Sequence, residues 1–458
     1  MDLSGRKFVV VGAGRSGAAL TRFLLDRGVE VVLNDQRTQG LDPAIGELAR
    51  RGAKLALGAH DPALLEGADQ ILVSPGVPLA LPALETARGS GVPVMGEIEF
   101  ASRFLKGRII GITGTNGKST TTTLTGVLLR EGGVDATACG NLGTPLIEMV
   151  AGDAPSRTYV VELSSFQLEG IESFRPAIAV LLNVAPDHQD RYADHAAYRA
   201  AKGRIFENQG AGDEAVLNRD DPEAMGFAAH IKPHVSLFSA QASVADGACV
   251  ESGRIVTRRD GKSLSVLPVD ALPLVGVHNL ENALASVAVA SRCGVTPESM
   301  AASIRRFRGL PHRMELVATL GTVRYFNDSK ATNVAATLRS LESFPGGIVL
   351  ILGGKDKGGD FAALLPLIRQ KAAALVLMGK ARESIHRQLG EPVPTRLVAT
   401  MEEAIAAAAG LAPARGVVLL APACASFDAY RNFEERGEDF KRRVLELAGG
   451  AAGPAGGR

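Results

Sequence analysis

The side chains best placed to do chemistry are Lys118 and Ser119, in the run Gly111-Ile-Thr-Gly-Thr-Asn-Gly-Lys-Ser-Thr120. An apolar pair, Ile109-Ile110, leads into the run, and a helical pattern from Thr120 to Arg130 leaves it. A strand, a Gly-rich turn and a helix start put backbone N–H groups around an anion. There Lys118 would reach the terminal phosphates of a nucleoside triphosphate, and the Ser119 hydroxyl would hold Mg²⁺. The spacing departs from the usual Gly-x-x-x-x-Gly-Lys loop, since Gly111 stands one residue too far away and Gly114 too close. A plain Gly-rich turn with an exposed Lys is the bland alternative, but Gly-Lys-Ser-Thr at a helix start is a rare coincidence. Mg²⁺ takes oxygen ligands. Glu162, at the tip of the strand Tyr159-Val-Val-Glu162, is a second candidate, because a polar run begins there, where the buried strand should end. His188 follows Asn183-Val-Ala-Pro-Asp at another strand end; it is as readily structural as functional. Lys202, one turn into a helix, reads on its own as a solvated cation.

A second Gly-rich turn lies near the start. The apolar run Lys7 to Val11 ends in Gly12-Ala-Gly14-Arg-Ser-Gly17, a helical pattern follows to Arg27, and the strand Val29 to Leu33 ends at Asn34-Asp35. This spacing, with an acid about twenty residues on, fits a dinucleotide-binding turn. Alone it reads as a nicotinamide or flavin site, or more broadly as a site for any ligand with a diphosphate and a ribose. Ile71-Leu-Val runs into Ser74-Pro-Gly-Val-Pro78, a strand-end loop of the kind where α/β sheets hold ligands.

The elements that must position these groups follow from composition and period. Hydrophobic residues make up 46% and charged residues 22% of 458, ordinary for a soluble globular chain of about three domains. The net charge of +1 offers no global field for nucleic acid or anionic lipid. Cys139, Cys249, Cys293 and Cys424 lack metal-ligand spacing, which fits a reducing compartment. No signal peptide or membrane-spanning apolar run is read, so a cytoplasmic protein is expected. Alternating strand and helix patterns predict an α/β fold of three domains: a Rossmann-like unit over 1–98, a central ATPase-type unit with a mostly parallel sheet over 99–307, and a Rossmann-like unit over 308–448, with a disordered tail over 449–458. Residues 235–275 read as a small antiparallel patch, and five strand-then-helix patterns follow residue 309.

Together these motifs resemble the Mur ligases, ATP-dependent amide-forming enzymes of peptidoglycan precursor synthesis, over nearly the whole chain. The loop Gly114-Thr-Asn-Gly-Lys-Ser119 matches the family's own variant, and the family's Glu, His and Asn-x-x-Asn signatures fall on Glu162, His188 and Asn279-Leu-Glu-Asn282. The D-glutamate-adding branch is indicated by Pro311-His-Arg, Asn327-Asp-Ser-Lys-Ala-Thr-Asn333, Ala421-Pro-Ala-Cys-Ala-Ser-Phe-Asp428 and Asn432-Phe-Glu-Glu-Arg-Gly437. The resemblance implies that the alanyl carboxylate of UDP-N-acetylmuramoyl-L-alanine takes the γ-phosphate of ATP and that the D-glutamate amine displaces it. It implies an ATP site of Gly114, Thr115, Asn116, Gly117, Lys118, Ser119, Thr120, Asn279, Asn282, Arg313 and Asp328, in a cleft between the central and C-terminal domains. It implies two Mg²⁺ sites, one on Ser119 and Glu162 and one on His188 and Lys202. An ammonium has donors only, so the family's solution, a carbamylated Lys, is expected at Lys202. Arg15, Ser16, Asp35, Gln36, Arg37, Gly76, Asn141 and Ser164 are assigned to the UDP-sugar, and Lys330, Thr332, Lys357, Ser426 and Phe433 to D-glutamate. A monomer acting on small molecules, with no nucleic acid or membrane partner, is expected. The competing readings are another Mur-type or folylpolyglutamate-type ligase, an NAD(P)-dependent oxidoreductase, and a switch ATPase with no covalent product. Neither of the last two explains all three parts of the chain.

Overall fold

The computed structural model describes Leu3 and residues 5–188, 191–356 and 358–450, with side chains up to Leu447. It is an α/β structure built on three sheets, most of whose strands are parallel. The first holds β1 (Lys7–Val11), β2 (Glu30–Asp35), β3 (Lys54–Leu57), β4 (Gln70–Val73) and β5 (Val94–Gly96). Its order is β3-β2-β1-β4-β5, parallel throughout, so the order reverses beside β1, the place where such sheets hold ligands. β1 and β4 are buried on both faces, as their unbroken apolar runs require.

The second sheet holds β6 (Arg108–Thr113), β7 (Ala136–Gly140), β8 (Thr158–Glu162), β9 (Ile178–Leu181), β10 (Glu214–Asn218), β11 (His234–Ser239), β12 (Gly247–Glu251), β13 (Arg254–Arg259) and β14 (Lys262–Pro268). Its order is β14-β13-β12-β11-β10-β9-β6-β8-β7. The expected antiparallel patch is narrower than read. β11 and β12 continue the parallel sheet, and only β13 and β14 turn back on it. The helix Lys118–Glu131 carries a run of Thr, which are poor helix formers. Packing holds it instead: Leu124, Leu128 and Leu129 are buried, and Gly126 lets Ala138 of β7 approach.

The third sheet holds β15 (Glu315–Leu320), β16 (Val323–Asn327), β17 (Ile348–Gly353), β18 (Ala372–Met378), β19 (Thr395–Leu397) and β20 (Val417–Leu420), in the order β15-β16-β20-β17-β18-β19. β15 is an antiparallel edge strand beyond the five strands read from the sequence. The last helix, Phe433–Gly450, runs past the start of the expected tail. Among the described residues no helix is long and apolar enough to cross a membrane.

Contacts divide the chain into two compact units, Met1–Leu272 with His278–Phe307, and Pro273–Val277 with Arg308–Arg458. The first two sheets share one unit because a single apolar cluster runs from Phe8 and Phe23 through Phe100 to Ile147, Tyr159 and Leu217. Within it Phe100 meets Phe8 edge-on at 6.1 Å and Phe23 at 5.9 Å between ring centroids. Each such pair adds about 1 kcal/mol beyond burial. The third sheet has its own cores on its two faces.

Candidate active site

In the first unit, the turn after β1 is fixed by close approach. Gly12 has φ +101°, and a Cβ there would stand 2.8 Å from that of Ser74, whose hydroxyl donates to the Gly12 carbonyl at 2.9 Å. A Cβ on Gly17 would run into that same carbonyl. Only glycine fits either place. Asp35, at the tip of β2, accepts from the Ala13 N–H at 2.8 Å and from the Arg37 guanidinium at 3.0 and 2.8 Å. Burial disfavours its charge, but Arg37 and the N–H groups of Ala13 and Arg37 outweigh that and hold its pKa down at about 2.

Around this turn opens a cavity of about 510 Å³. Arg15, Ser16, Asp35, Gln36, Arg37, Gly76 and Asn141, named from the sequence across some 130 residues, all line it. His60 and Gln167 line it too and were not named. His60 meets the Asn34 side chain, a pairing between β2 and the loop after β3 that no local spacing reveals. Ser164 is engaged elsewhere: with Gln167 it closes a capping box on the helix Ser165–Glu169.

The second turn, after β6, is built differently. Gly117 has φ +85°, and a Cβ there would collide with the Asn282 Oδ1, which accepts from the Thr121 hydroxyl at 3.2 Å. Asn282 in turn donates to the Asn279 side chain at 3.3 Å. Thr115 exchanges hydrogen bonds with the backbone of Ala185, and the Asn116 N–H donates to Asn183 at 2.8 Å. Ser119 and Thr120 are buried in the first helical turn. Lys118 donates to the carbonyls of Gly114 and Thr115, both at 2.9 Å. Lys202 donates to the same Gly114 carbonyl at 2.8 Å and is 1% exposed. Burial, reinforced by the charge of Lys118 and opposed by Asp187, pushes its pKa well below the usual lysine range. Lys202 lies in the last turn of the helix His195–Gly203, further along than the one-turn-in position read from the sequence.

Glu162 is 3% exposed; its Oε1 accepts from Asn141 at 2.9 Å and its Oε2 is buried without a partner among the described residues. An orphaned buried carboxylate oxygen fits a cation ligand. His188 is half-exposed, with φ +54°. Its ring packs on Phe166 at 4.8 Å and on Tyr198 at 5.9 Å, and the Lys202 Nζ lies 4.5 Å from the Tyr198 centroid. Tyr198 also pairs its hydroxyl with Thr115 at 3.2 Å. The sequence reading missed Tyr198, although it stands one helical turn before Lys202.

The second unit gathers its own polar cluster. Asp328 is buried and accepts from the Ser340 hydroxyl and, at 3.2 Å, from the Met314 N–H. Burial raises its pKa against those bonds and the charge of Arg313. Lys330 stands over the Phe433 ring at 3.9 Å, and Ser426 is buried after β20. Thr332 lies in the same loop as Lys330, its N–H donating to the Lys330 carbonyl at 2.8 Å. Arg436, 1% exposed and unnamed from the sequence, binds Ser329 through Nε at 3.0 Å and Nη2 at 2.9 Å and the Cys424 carbonyl at 3.1 Å. Ser329 donates to the Phe433 carbonyl at 2.8 Å, so one guanidinium joins the three segments that carry Lys330, Ser426 and Phe433. Lys357 lies outside the described residues.

Comparison with known proteins finds one family along the chain. Residues 6–96 match the Mur ligase MurD-like N-terminal domain, 112–290 the Mur ligase middle domain, and 312–424 the Mur ligase glutamate ligase domain. A UDP-N-acetylmuramoylalanine--D-glutamate ligase of Geobacter metallireducens is 46% identical over 98% of this chain and 99% of its own length. The protein of the same name from Acidobacterium capsulatum is 44% identical over 99% of each. Among solved structures, a pseudomurein peptide ligase type C from Methanothermus fervidus has a TM-score of 0.60 at 19% identity, covering 97% of this chain and 100% of that one. UDP-N-acetylmuramate-alanine ligase from Thermotoga maritima has a TM-score of 0.61 at 19% identity over 96% and 100%. At that identity the likeness is one of fold.

Proposed function

The chain belongs to the Mur ligase family, and from that premise we propose that it joins D-glutamate to UDP-N-acetylmuramoyl-L-alanine while converting ATP to ADP and phosphate. The observation that carries this is the near full-length likeness to relatives bearing that reaction's name. The expectation of a monomer in the cytoplasm goes with it.

In this reading the 510 Å³ cavity takes the UDP-sugar. The diphosphate faces the Gly12–Gly17 turn, and Arg15 and Ser16 add donors. Lys118 exchanges its loop carbonyls for the β- and γ-phosphates. Asn279 and Asn282 hold the nucleotide loop in shape, and Arg313 and Asp328 keep the nucleotide roles that the resemblance gives them. Ser119 and the free Oε2 of Glu162 suit a first Mg²⁺. Bound cations would neutralise charge that develops as phosphate passes to the alanyl carboxylate. D-Glutamate brings two carboxylates, for which Lys330, Thr332 and Ser426 offer donors near Phe433, and Lys357 keeps the role that the resemblance gives it. Its amine then displaces phosphate from the acyl phosphate.

Lys202 and His188 would hold the second cation, which would supply charge neutralisation at the γ-phosphate. The depressed pKa of Lys202 leaves a fraction of neutral amine, whose lone pair attacks the carbon of CO₂. A C–N bond forms, the nitrogen gives its proton to solvent, and a carbamate with ligand oxygens replaces a donor-only ammonium. Lys202→Ala is expected to lose roughly 10²-fold or more in activity, partly restored by short carboxylates. Full activity without them would overturn the carbamate.

A panel of amino acids, assayed as ADP formed with the UDP-muramoyl-alanine acceptor, tests the whole reading. ADP release that needs both acceptor and D-glutamate supports it. Release with neither points to a switch ATPase, and a change in NADH absorbance to an oxidoreductase.

A further inference from the structure

The helix Glu97–Ser102, which links the first sheet to the second, carries two buried carboxylates with opposite fates. Glu99 is saturated: it accepts from Arg103 at 2.9 Å, from the N–H groups of Glu172, Ser173 and Phe174 at 2.8, 3.0 and 2.8 Å, and from the Ser173 hydroxyl. Glu97 is 1% exposed, its Oε1 accepts from the Ile147 N–H at 2.8 Å, and its Oε2 has no partner among the described residues. Glu97 also lines a small pocket of about 10 Å³, room for about one water, that shares Ser74, Pro75, Val77 and Gln167 with the large cavity.

The segment that Glu97 grips leads straight into the cavity wall. Ile147 is the second residue of the short 3₁₀ helix Leu146–Gly152, which follows the loop Gly140–Pro145 directly. Gly140, Asn141, Gly143 and Pro145 of that loop line the cavity. Arg15 donates to the Gly143 carbonyl at 2.9 Å, and the Asn141 side chain donates to Glu162 at 2.9 Å. A change of grip at Ile147 therefore reaches both the diphosphate donor and the nucleotide-side carboxylate.

We propose that Glu97 is a positioning residue that sets the loop Gly140–Pro145 for the UDP-sugar acceptor and makes acceptor binding depend on pH. This rests on the acceptor assignment above. Burial pushes the Glu97 carboxyl up to about 7, against the N–H groups of Ile147 and Leu146, and Glu148 pushes the same way. The charged and titratable groups facing it are few. Glu148 on the 3₁₀ helix pairs with Arg22 of the helix Arg15–Leu25; the Cys139 thiol on β7 is itself pushed up, by burial and then by Glu97; and Arg103 on its own helix is committed to Glu99. β4 and β5 carry no charged side chain. The ionised carboxylate makes the stronger, charge-assisted bond to Ile147. Protonation weakens the grip, so the loop loosens as pH falls through about 7.

The test is the KM for the UDP-muramoyl-alanine acceptor across the pH range, beside the KM for ATP. In the wild type the acceptor KM is expected to rise up to about tenfold from about pH 8 to about pH 6, with the ATP value moving less. Glu97→Gln is neutral throughout, so its acceptor KM should stay flat at the low-pH level. A merely structural role would lower Tm and leave the pH profile unchanged, which overturns the proposal. Should Glu97→Gln not fold, the exposed Glu148→Gln variant answers instead: removing that charge should move the midpoint of the acceptor profile to lower pH, and an unmoved midpoint overturns the proposal. A wild-type protein that forms no ADP with this acceptor defeats the assigned reaction; an active one whose variants keep its profile defeats only Glu97.

Discussion

Two Gly-rich turns of the first unit, each between a strand and a helix, are held in opposite ways. At Gly12–Gly17 the charged groups are already committed. Asp35 holds Arg37 and the turn's own amide, and a cavity stands open beside them. At Gly114–Lys118 the cations are turned inward, with Lys118 and Lys202 sharing the Gly114 carbonyl. In the proposed reading the first turn is preorganised and needs little rearrangement to take a diphosphate. In the same reading the second must give up hydrogen bonds before its lysines meet a phosphate, so its ligand would compete with the loop's own backbone.

The largest expected effect separates the two turns. Lys118→Ala should cut ADP formation by roughly 10²–10³-fold while calorimetry finds acceptor binding unchanged. An equal loss of acceptor binding would mean that the turns are not independent. Lys202→Met should likewise abolish most activity yet raise Tm, because it removes a buried amine whose charge is disfavoured in the folded state. A fall in Tm would show that its bond to Gly114 outweighs the cost of burial. Next comes backbone fit at the first turn. Gly17→Ala, which forces a Cβ into the Gly12 carbonyl, should cost about 1–3 kcal/mol and raise the acceptor KM. Gly14→Ala, with nothing within 4 Å, should stay within about 0.5 kcal/mol. Thermal melts and acceptor titrations compare the pair. Acid sensitivity, with no expected effect on catalysis at neutral pH beyond acceptor binding, comes last. The folded pKa of Asp35 is depressed from 3.8 to about 2, so its stabilisation is present above about pH 4 and is lost as pH falls toward 2. Asp35→Asn should lose about 2 kcal/mol near neutrality and flatten that part of the acid-unfolding curve.

The same contrast explains what could be read from the chain alone. Gly12, Asp35, Lys118 and Ser119 are legible as parts of strand-to-helix turns because a tight Gly-rich turn fixes residue types at short spacing. The strands that precede them are legible because burial on both faces demands unbroken apolar runs. β15 escaped notice because its face is mostly half-exposed and its partnership with β16 contains a bulge. Lys202 reads as a surface cation because burial is a tertiary property that its helix does not announce. Glu97, Tyr198 and Arg436 were passed over for the same reason: each acts through partners that only the fold brings near.

The five residues Pro273–Val277 carry a practical consequence. They belong with the second unit although sequence on both sides belongs with the first, and Val275 packs on the core beneath the third sheet. The polypeptide therefore passes from one unit to the other three times, at 272/273, 277/278 and 307/308. A fragment begun at Arg308 would leave a piece of its own core behind. A single protease cut near residue 307 would nick the protein without freeing a complete half. Anyone wishing to study the second unit in isolation would need to graft Pro273–Val277 back onto it.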